Sequence, residues 1–205
     1  GDTLGNLGDY IGAAWSDISF AFDASGENIA VAAEPYSSNI DWNYQSFGAW
    51  ETGRGTGSGY AAVTSVGRST QGSSIPTSGT GVYTGYSGGI ALSSDGTRDF
   101  VISSNFQASA NFSTRQVSIQ ATNSGAYDPV NDILYNGAQV FDYTGNLTYN
   151  SGSNSLTGAL TTTTNYSGTA KGQFYGPNAE ELGGIFEITS YNGVGIYTGA
   201  FGAKR

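Results

Sequence analysis

The stretch Phe106–Phe112, FQASANF, decides the fold, because apolar and polar side chains alternate along it without interruption. A period of two is that of a β-strand with one face on a core and the other facing water. The alternation resumes at Val117–Ala121 after the polar break Ser113–Arg115. These two runs therefore predict an antiparallel hairpin.

Turn signals recur along the chain at the spacing of an all-β domain. They are Ser25–Gly26, Ser94–Gly96, Asn123–Gly125, Asn136–Gly137, Asn150–Gly152 and Asn192–Gly193. The polar run Thr161–Thr164 leaves no continuous apolar outer band, which a membrane barrel needs. The sequence thus predicts an all-β fold, an antiparallel up-and-down β-barrel of about eight strands with a filled interior.

A small N-terminal β handle or hairpin is expected ahead of the barrel. Pro35–Asn39 is the predicted boundary, so we assign residues 1–42 to a handle-like segment and 43–205 to the barrel. Thr3–Ala14 is the one stretch with a weak helical pattern. Tyr127–Leu134 and Gly176–Leu182 each carry an early proline and are expected to be polar loops or single turns on the rim.

The composition excludes several functions. The chain has 16 acidic and 7 basic residues, for a net charge of -9, so nucleic acid and anionic membranes are poor partners. His, Cys and Met are absent, which removes His-based catalysis, Cys nucleophiles and zinc sites. No apolar run approaches the ~20 residues of a membrane-spanning helix. The acidic pairs, such as Glu180–Glu181 and Asp128 with Asp132, lie in predicted turns, so a glycosidase is a weak alternative and no enzyme is expected.

Three segments carry a resemblance to a known family. They are FGAWE at Phe47–Glu51, IPTSGTGVYTG at Ile75–Gly85, and FYGPNAEELGGIFEI at Phe174–Ile188 followed by GAFGAKR at Gly199–Arg205. Together they resemble the barrel domain of bacterial transferrin-binding protein B-like surface lipoproteins, across about Tyr44–Arg205. Since only one barrel is present, the chain is most similar to the single-barrel, hemophilin-like relatives.

The resemblance implies a secreted or outer-membrane surface protein of a Gram-negative bacterium that acts in iron or haem acquisition. It would capture haem and deliver it to an outer-membrane receptor, as a monomer. The alternative is a host-protein-binding module or adhesin that captures transferrin, a haem protein or an immune regulator. Whether a leader with a lipid-bearing Cys precedes Gly1 stays open.

The candidate ligand site is the aromatic cluster Tyr36, Trp42 and Tyr44. Without His, Met or Cys, tyrosine is the remaining side chain that binds ferric iron strongly, and the chain has 14 of them. A flat ligand could stack on Trp42 between the handle and the barrel. Haem is therefore predicted as a bound ligand, with no obligatory cofactor. The competing interpretation is that Trp42 and Tyr44 begin a strand and cover the open end of the barrel.

Overall fold

The computed structural model describes residues 3–6, 18–22, 29–33, 42–53, 59–93, 99–189 and 195–205. Its described residues form fourteen strands: β1 Thr3–Asn6, β2 Ile18–Phe22, β3 Ile29–Ala33, β4 Gln45–Thr52, β5 Tyr60–Gly67, β6 Thr80–Ser93, β7 Asp99–Asn111, β8 Gln116–Asp128, β9 Ile133–Tyr135, β10 Tyr143–Thr148, β11 Leu156–Thr162, β12 Ser167–Tyr175, β13 Glu181–Thr189 and β14 Gly195–Lys204. Two single 3₁₀ turns, Gly72–Ser74 and Gln139–Phe141, are the described helical elements.

Eight antiparallel strands form the closed barrel, which confirms the predicted fold class. The order is β10-β11-β12-β13-β14-β6-β7-β8, and β8 pairs back to β10, with Leu147 opposite Val117. The hairpin predicted from Phe106–Phe112 and Val117–Ala121 is β7 and β8, with Ala108 opposite Ile119. The short strand β9 pairs with the end of β8 beyond this closure.

Aromatic side chains fill the barrel interior. Phe106 and Phe201 stack at 4.6 Å in the middle, while Phe174 contacts the Tyr83 and Phe112 rings near one end. These side chains are buried, as the inward half of a period-two pattern requires. We name this end, where β13 begins and β14 finishes, the closed end, and the opposite end the open end.

The five-stranded N-terminal sheet, β1-β2-β3-β4-β5, lies against the barrel wall. The strand that contains Phe47–Glu51, β4, pairs with β3 and β5 in this sheet. The sequence predicted it instead as one of the first strands of the barrel. The barrel sheet itself begins at Thr80. Alternation identifies a strand but not the sheet it joins, and that is why the assignment failed.

Two local predictions were wrong. Thr3–Asn6 is a strand paired with β2, not part of a helix, because strand pairing overrides a helical pattern that glycines already weaken. Asn123–Gly125 is not a turn: β8 runs through it with a bulge, where the register to β7 shifts between Ser103 and Asn105. Asn123 takes φ +55°, a left-handed conformation that asparagine tolerates in bulges as in turns.

Among the described residues no helix is long and apolar enough to cross a membrane.

Candidate functional site

The seam, residues 42–47, is where the chain passes from the N-terminal sheet onto the barrel. The Trp42 side chain is buried there and meets the Phe47 ring edge-on, with centroids 5.9 Å apart. Both side chains pack with Ala200, which faces outward from β14. The indole therefore acts as part of the joint between the sheet and the barrel wall.

Small residues on the barrel wall allow this close contact. A methyl group on Gly202 would stand 2.6 Å from the Phe47 ring, and one on Gly183 would collide with the Gln45 side-chain oxygen. Gly184, the neighbour of Gly183, faces the other way and leaves room for the Phe201 ring inside the barrel. The Gly183–Gly184 pair thus serves two packed layers at once.

Polar bonds fix the seam at the start of β13. The Glu181 carboxylate accepts hydrogen bonds from the backbone amides of Asn43, at 2.7 Å, and Tyr44, at 3.2 Å. The Gln45 amide nitrogen donates to the carbonyls of Leu182, at 2.8 Å, and Ala203, at 3.3 Å. Burial raises the pKa of Glu181, and the amide donors partly offset this rise.

The predicted haem site is only partly visible in this arrangement. Tyr36 lies outside the described residues, and Trp42 is packed rather than open to a ligand. Tyr44 is half-buried, with its ring against Gly176, where φ is +87° and a side chain would meet the ring. Trp42 and Tyr44 precede strand β4, but they cover the outer wall near the closed end and not the barrel opening. Ligand binding by these three residues stays a prediction.

A second candidate site is an apolar cavity of about 280 Å³ at the open end of the barrel. We call it the end cavity. Its walls come from strand ends and from the connections that follow them: Ala91, Leu92, Ser93, Phe100, Val140, Phe141, Thr162, Tyr166, Ile188, Gly195, Ile196 and Tyr197. Every described strand of the barrel other than β8 and β10 thus contributes a residue at or next to its end.

The rim of the end cavity exposes apolar side chains to solvent. Val140 is 41% exposed and Ile196 is 45% exposed, and both line the cavity. From the exposed Tyr135, ring contacts run through Phe100 and Phe141 to Tyr197, at centroid separations of 6.1, 6.5 and 5.4 Å. An exposed apolar rim that continues into an aromatic-lined cavity is typical of an interaction site.

Neutral hydroxyls lie beneath the end cavity. The hydroxyls of Ser87 and Tyr143 are 2.9 Å apart, and the Ser124 hydroxyl donates to Asp142 at 2.6 Å. Burial raises the pKa values of Tyr143 and Tyr197 well above that of a free phenol, so both phenols stay protonated. Among the described lining residues there is no carboxylate or basic group.

The sequence did not predict the end cavity, and the nearest signal lies in the neighbouring β8–β9 turn, which does not line it. The predicted polar loop Tyr127–Leu134 contains Val130 and Ile133, and both are exposed. Apolar side chains in a turn-rich connection that do not enter the core indicate a contact surface. The proline and the aspartates of this loop predict only a polar connection.

The fold and the end cavity define an all-β barrel protein with the features of a binding module. Residues 75–205 match the family of the C-lobe and N-lobe β barrels of transferrin-binding protein B. The match covers more than half of the chain, and the chain belongs to this family of binding proteins. The family resemblance inferred from the sequence is therefore confirmed.

Solved structures of the same architecture are similar to the chain. Transferrin binding protein B of Haemophilus parasuis Hp5, solved as a tryptophan-to-alanine mutant, matches with a TM-score of 0.63 and 21% identity, over 95% of this chain and 37% of that one. Intact Ap-TbpB gives 0.56 and 21%, over 89% and 37%. The isotype 1 protein of serogroup B Neisseria meningitidis gives 0.53 and 21%, over 87% and 34%. The chain thus spans little more than a third of these structures, which support the fold. No curated protein matches the sequence.

Proposed function

We propose that this chain is a surface module for iron acquisition that captures a host iron-carrier protein of the transferrin type. The observation that carries the proposal is the end cavity, with its exposed rim of Val140 and Ile196. Family membership supplies the partner class, because the similar structures are named for binding transferrin. We also propose display on the outer surface of a Gram-negative cell.

The size of the end cavity favours a protein partner. At about 280 Å³ it lies just below the range of roughly 300–1,000 Å³ that small-molecule pockets occupy. Such a cavity accommodates one bulky apolar side chain, and interfaces are anchored by side chains of this kind in central pockets. The exposed rim then forms the surrounding contact area.

The first prediction is that Val140→Asp weakens capture about 30-fold or more. A carboxylate at the rim would be desolvated against the partner's apolar anchor, and losing a central contact costs about 2 kcal/mol or more, roughly 30-fold in affinity. Iron-loaded and iron-free serum transferrins from several vertebrates, passed over the immobilised chain in surface plasmon resonance, measure the loss.

Val82→Asp is the matched control for this experiment. Val82 is 54% exposed and lies on β6 near the closed end, so the same change there should leave binding within twofold of wild type. Both substitutions are at exposed positions and should change stability by about 0.5 kcal/mol at most. No binding by the wild-type chain, or equal binding by both variants, would contradict the proposal.

Haem capture at the seam, followed by delivery to an outer-membrane receptor, is a second proposal. Tyr44 supports it, because its half-buried ring lies at the junction of two sheets and the segment that contains Tyr36 precedes it in the sequence. Trp42 would have to leave its position against Phe47 to stack on a macrocycle. This cost places haem capture behind protein capture.

Hemin titration tests the haem proposal. A Soret shift that saturates near one equivalent is expected for the wild-type chain, and it should change in position and weaken at least tenfold when Tyr36 and Tyr44 are both replaced by Phe. Tyr60→Phe is the control, since Tyr60 is highly exposed and remote from the seam. A titration without a Soret shift would eliminate haem, and an unchanged shift in the double variant would eliminate this site.

A further inference from the structure

Acidic side chains gather around the open end of the barrel. Asp99 is paired in register with Leu92, which lines the end cavity, and Asp142 directly follows the lining residue Phe141. Asp128 and Asp132 flank the turn between β8 and β9 at the same end. Asp99 and Asp128 are buried, so Asp132 and the half-buried Asp142 are the carboxylates of this group that lie near solvent.

Basic side chains among the described residues lie elsewhere. Arg68 accepts a backbone bond from Gly176 at the closed end, Arg115 lies in the turn between β7 and β8, and Lys204 and Arg205 end the last strand there. Lys171 lies along β12, on the side wall. Arg54 and Arg98 fall outside the described residues. The described charges are thus separated along the barrel axis, acidic around the end cavity and mostly basic at the closed end.

We infer that the end cavity receives an apolar side chain carried on a positively charged segment of the partner protein. This inference rests on the proposed function and specifies the chemistry of its partner. The apolar lining accounts for the anchor, and the accessible carboxylates of Asp132 and Asp142 favour lysine or arginine beside it. The net charge of -9 acts in the same direction, by attracting a basic partner surface over a distance.

Asp132 is the rim carboxylate best suited to a test. It is exposed and accepts a hydrogen bond from the Tyr127 hydroxyl at 2.9 Å. Its φ of +54° is left-handed, a conformation that asparagine adopts as readily as aspartate. Asp132→Asn therefore removes the charge while it keeps the shape, the backbone and an acceptor oxygen.

Short blocked peptides provide the probes. Ac-Lys-Phe-Lys-NH₂, Ac-Glu-Phe-Glu-NH₂ and Ac-Lys-Ala-Lys-NH₂ are titrated separately into the full chain, and the NMR shifts of the Val140, Ile188 and Ile196 methyl groups are followed. The lysine peptide with Phe should shift these methyls at a concentration at least about threefold lower than the glutamate peptide. The Ala peptide should not shift them. In about 1 M salt, where the Debye length falls to about 3 Å, the two Phe peptides should become equal.

Asp132→Asn should reduce the preference for the lysine peptide, whereas Glu180→Gln, which removes a carboxylate at the closed end, should not change it. Equal binding of both Phe peptides at low salt, or a preference for the glutamate peptide, would overturn the charge argument. Methyl shifts with the Ala peptide, or none with either Phe peptide, would overturn the apolar anchor. These outcomes are independent of transferrin capture, so the inference and the proposed function fail separately.

Discussion

Replacing Phe201 by alanine should lower the free energy of unfolding by about 3–5 kcal/mol. Phe201 is completely buried, and its ring stacks on Phe106 with an interplanar angle of 14°. Gly172 and Gly184 abut the same ring and have no side chain that could fill the space that truncation leaves. Urea unfolding followed by circular dichroism, extrapolated to water, measures the change.

Phe141→Ala is the matched control for this truncation. Phe141 is half-buried and lines the end cavity, so its removal should cost clearly less, about 1–2 kcal/mol. The difference between the two variants reports whether the barrel is packed through its middle and opens only at its end. Equal losses would contradict the filled interior.

The barrel was predictable because its information is local. Period-two alternation placed the inward residues of β7 and β8, and Gly or Asn at strand ends marked the connections. The same logic explains the error at Asn123, where a bulge and a turn require the same left-handed φ. A single position of that kind cannot distinguish a strand that turns back from one that only bends.

The position of the N-terminal sheet was not predictable, because it depends on contacts between distant parts of the chain. Phe47 and Gln45 rest on Gly202 and Gly183, more than 130 residues away. In a sequence, a glycine within a strand indicates only that the strand is weakened there. In this structure the glycines form the surface on which a second sheet packs. The GAFGA and ELGG segments contain these glycines, but their sequence does not show which residues pack on them.

The end cavity was hidden for a similar reason. Its lining comes from six separate stretches of chain between Ala91 and Tyr197, with Thr162 and Tyr166 in one of them, and each stretch contributes one to three residues. Only closure of the barrel brings them together. The cluster of Tyr36, Trp42 and Tyr44 was predicted as the ligand site because its members are close in sequence. Its described members, Trp42 and Tyr44, lie at the joint between the N-terminal sheet and the barrel wall.

Glu181→Ala should loosen this joint and cost about 2–3 kcal/mol of stability. The Glu181 side chain is fully buried, and its removal leaves the amides of Asn43 and Tyr44 without their acceptor. Each donor left unpaired and shielded from water costs about 1–3 kcal/mol, with the lower part of the range for the exposed Asn43. Denaturant unfolding monitored by tryptophan fluorescence measures the loss, with a red shift as Trp42 becomes hydrated. An unchanged midpoint would show that the carboxylate does not hold the seam.

Glu181→Gln separates the hydrogen bonds from the charge, through its pH dependence. Burial raises the pKa of Glu181 above its ordinary 4.5, so the folded protein holds this proton more tightly than the unfolded chain does. The resulting stabilisation is fully present below about pH 4.5 and is lost as the pH rises through the folded value. The wild-type chain should therefore gain stability relative to Glu181→Gln on acidification through this range, since glutamine does not titrate. Paired unfolding curves from pH 7 to pH 4 measure the difference, and a constant or opposite difference would mean that the pKa of Glu181 is not raised by folding.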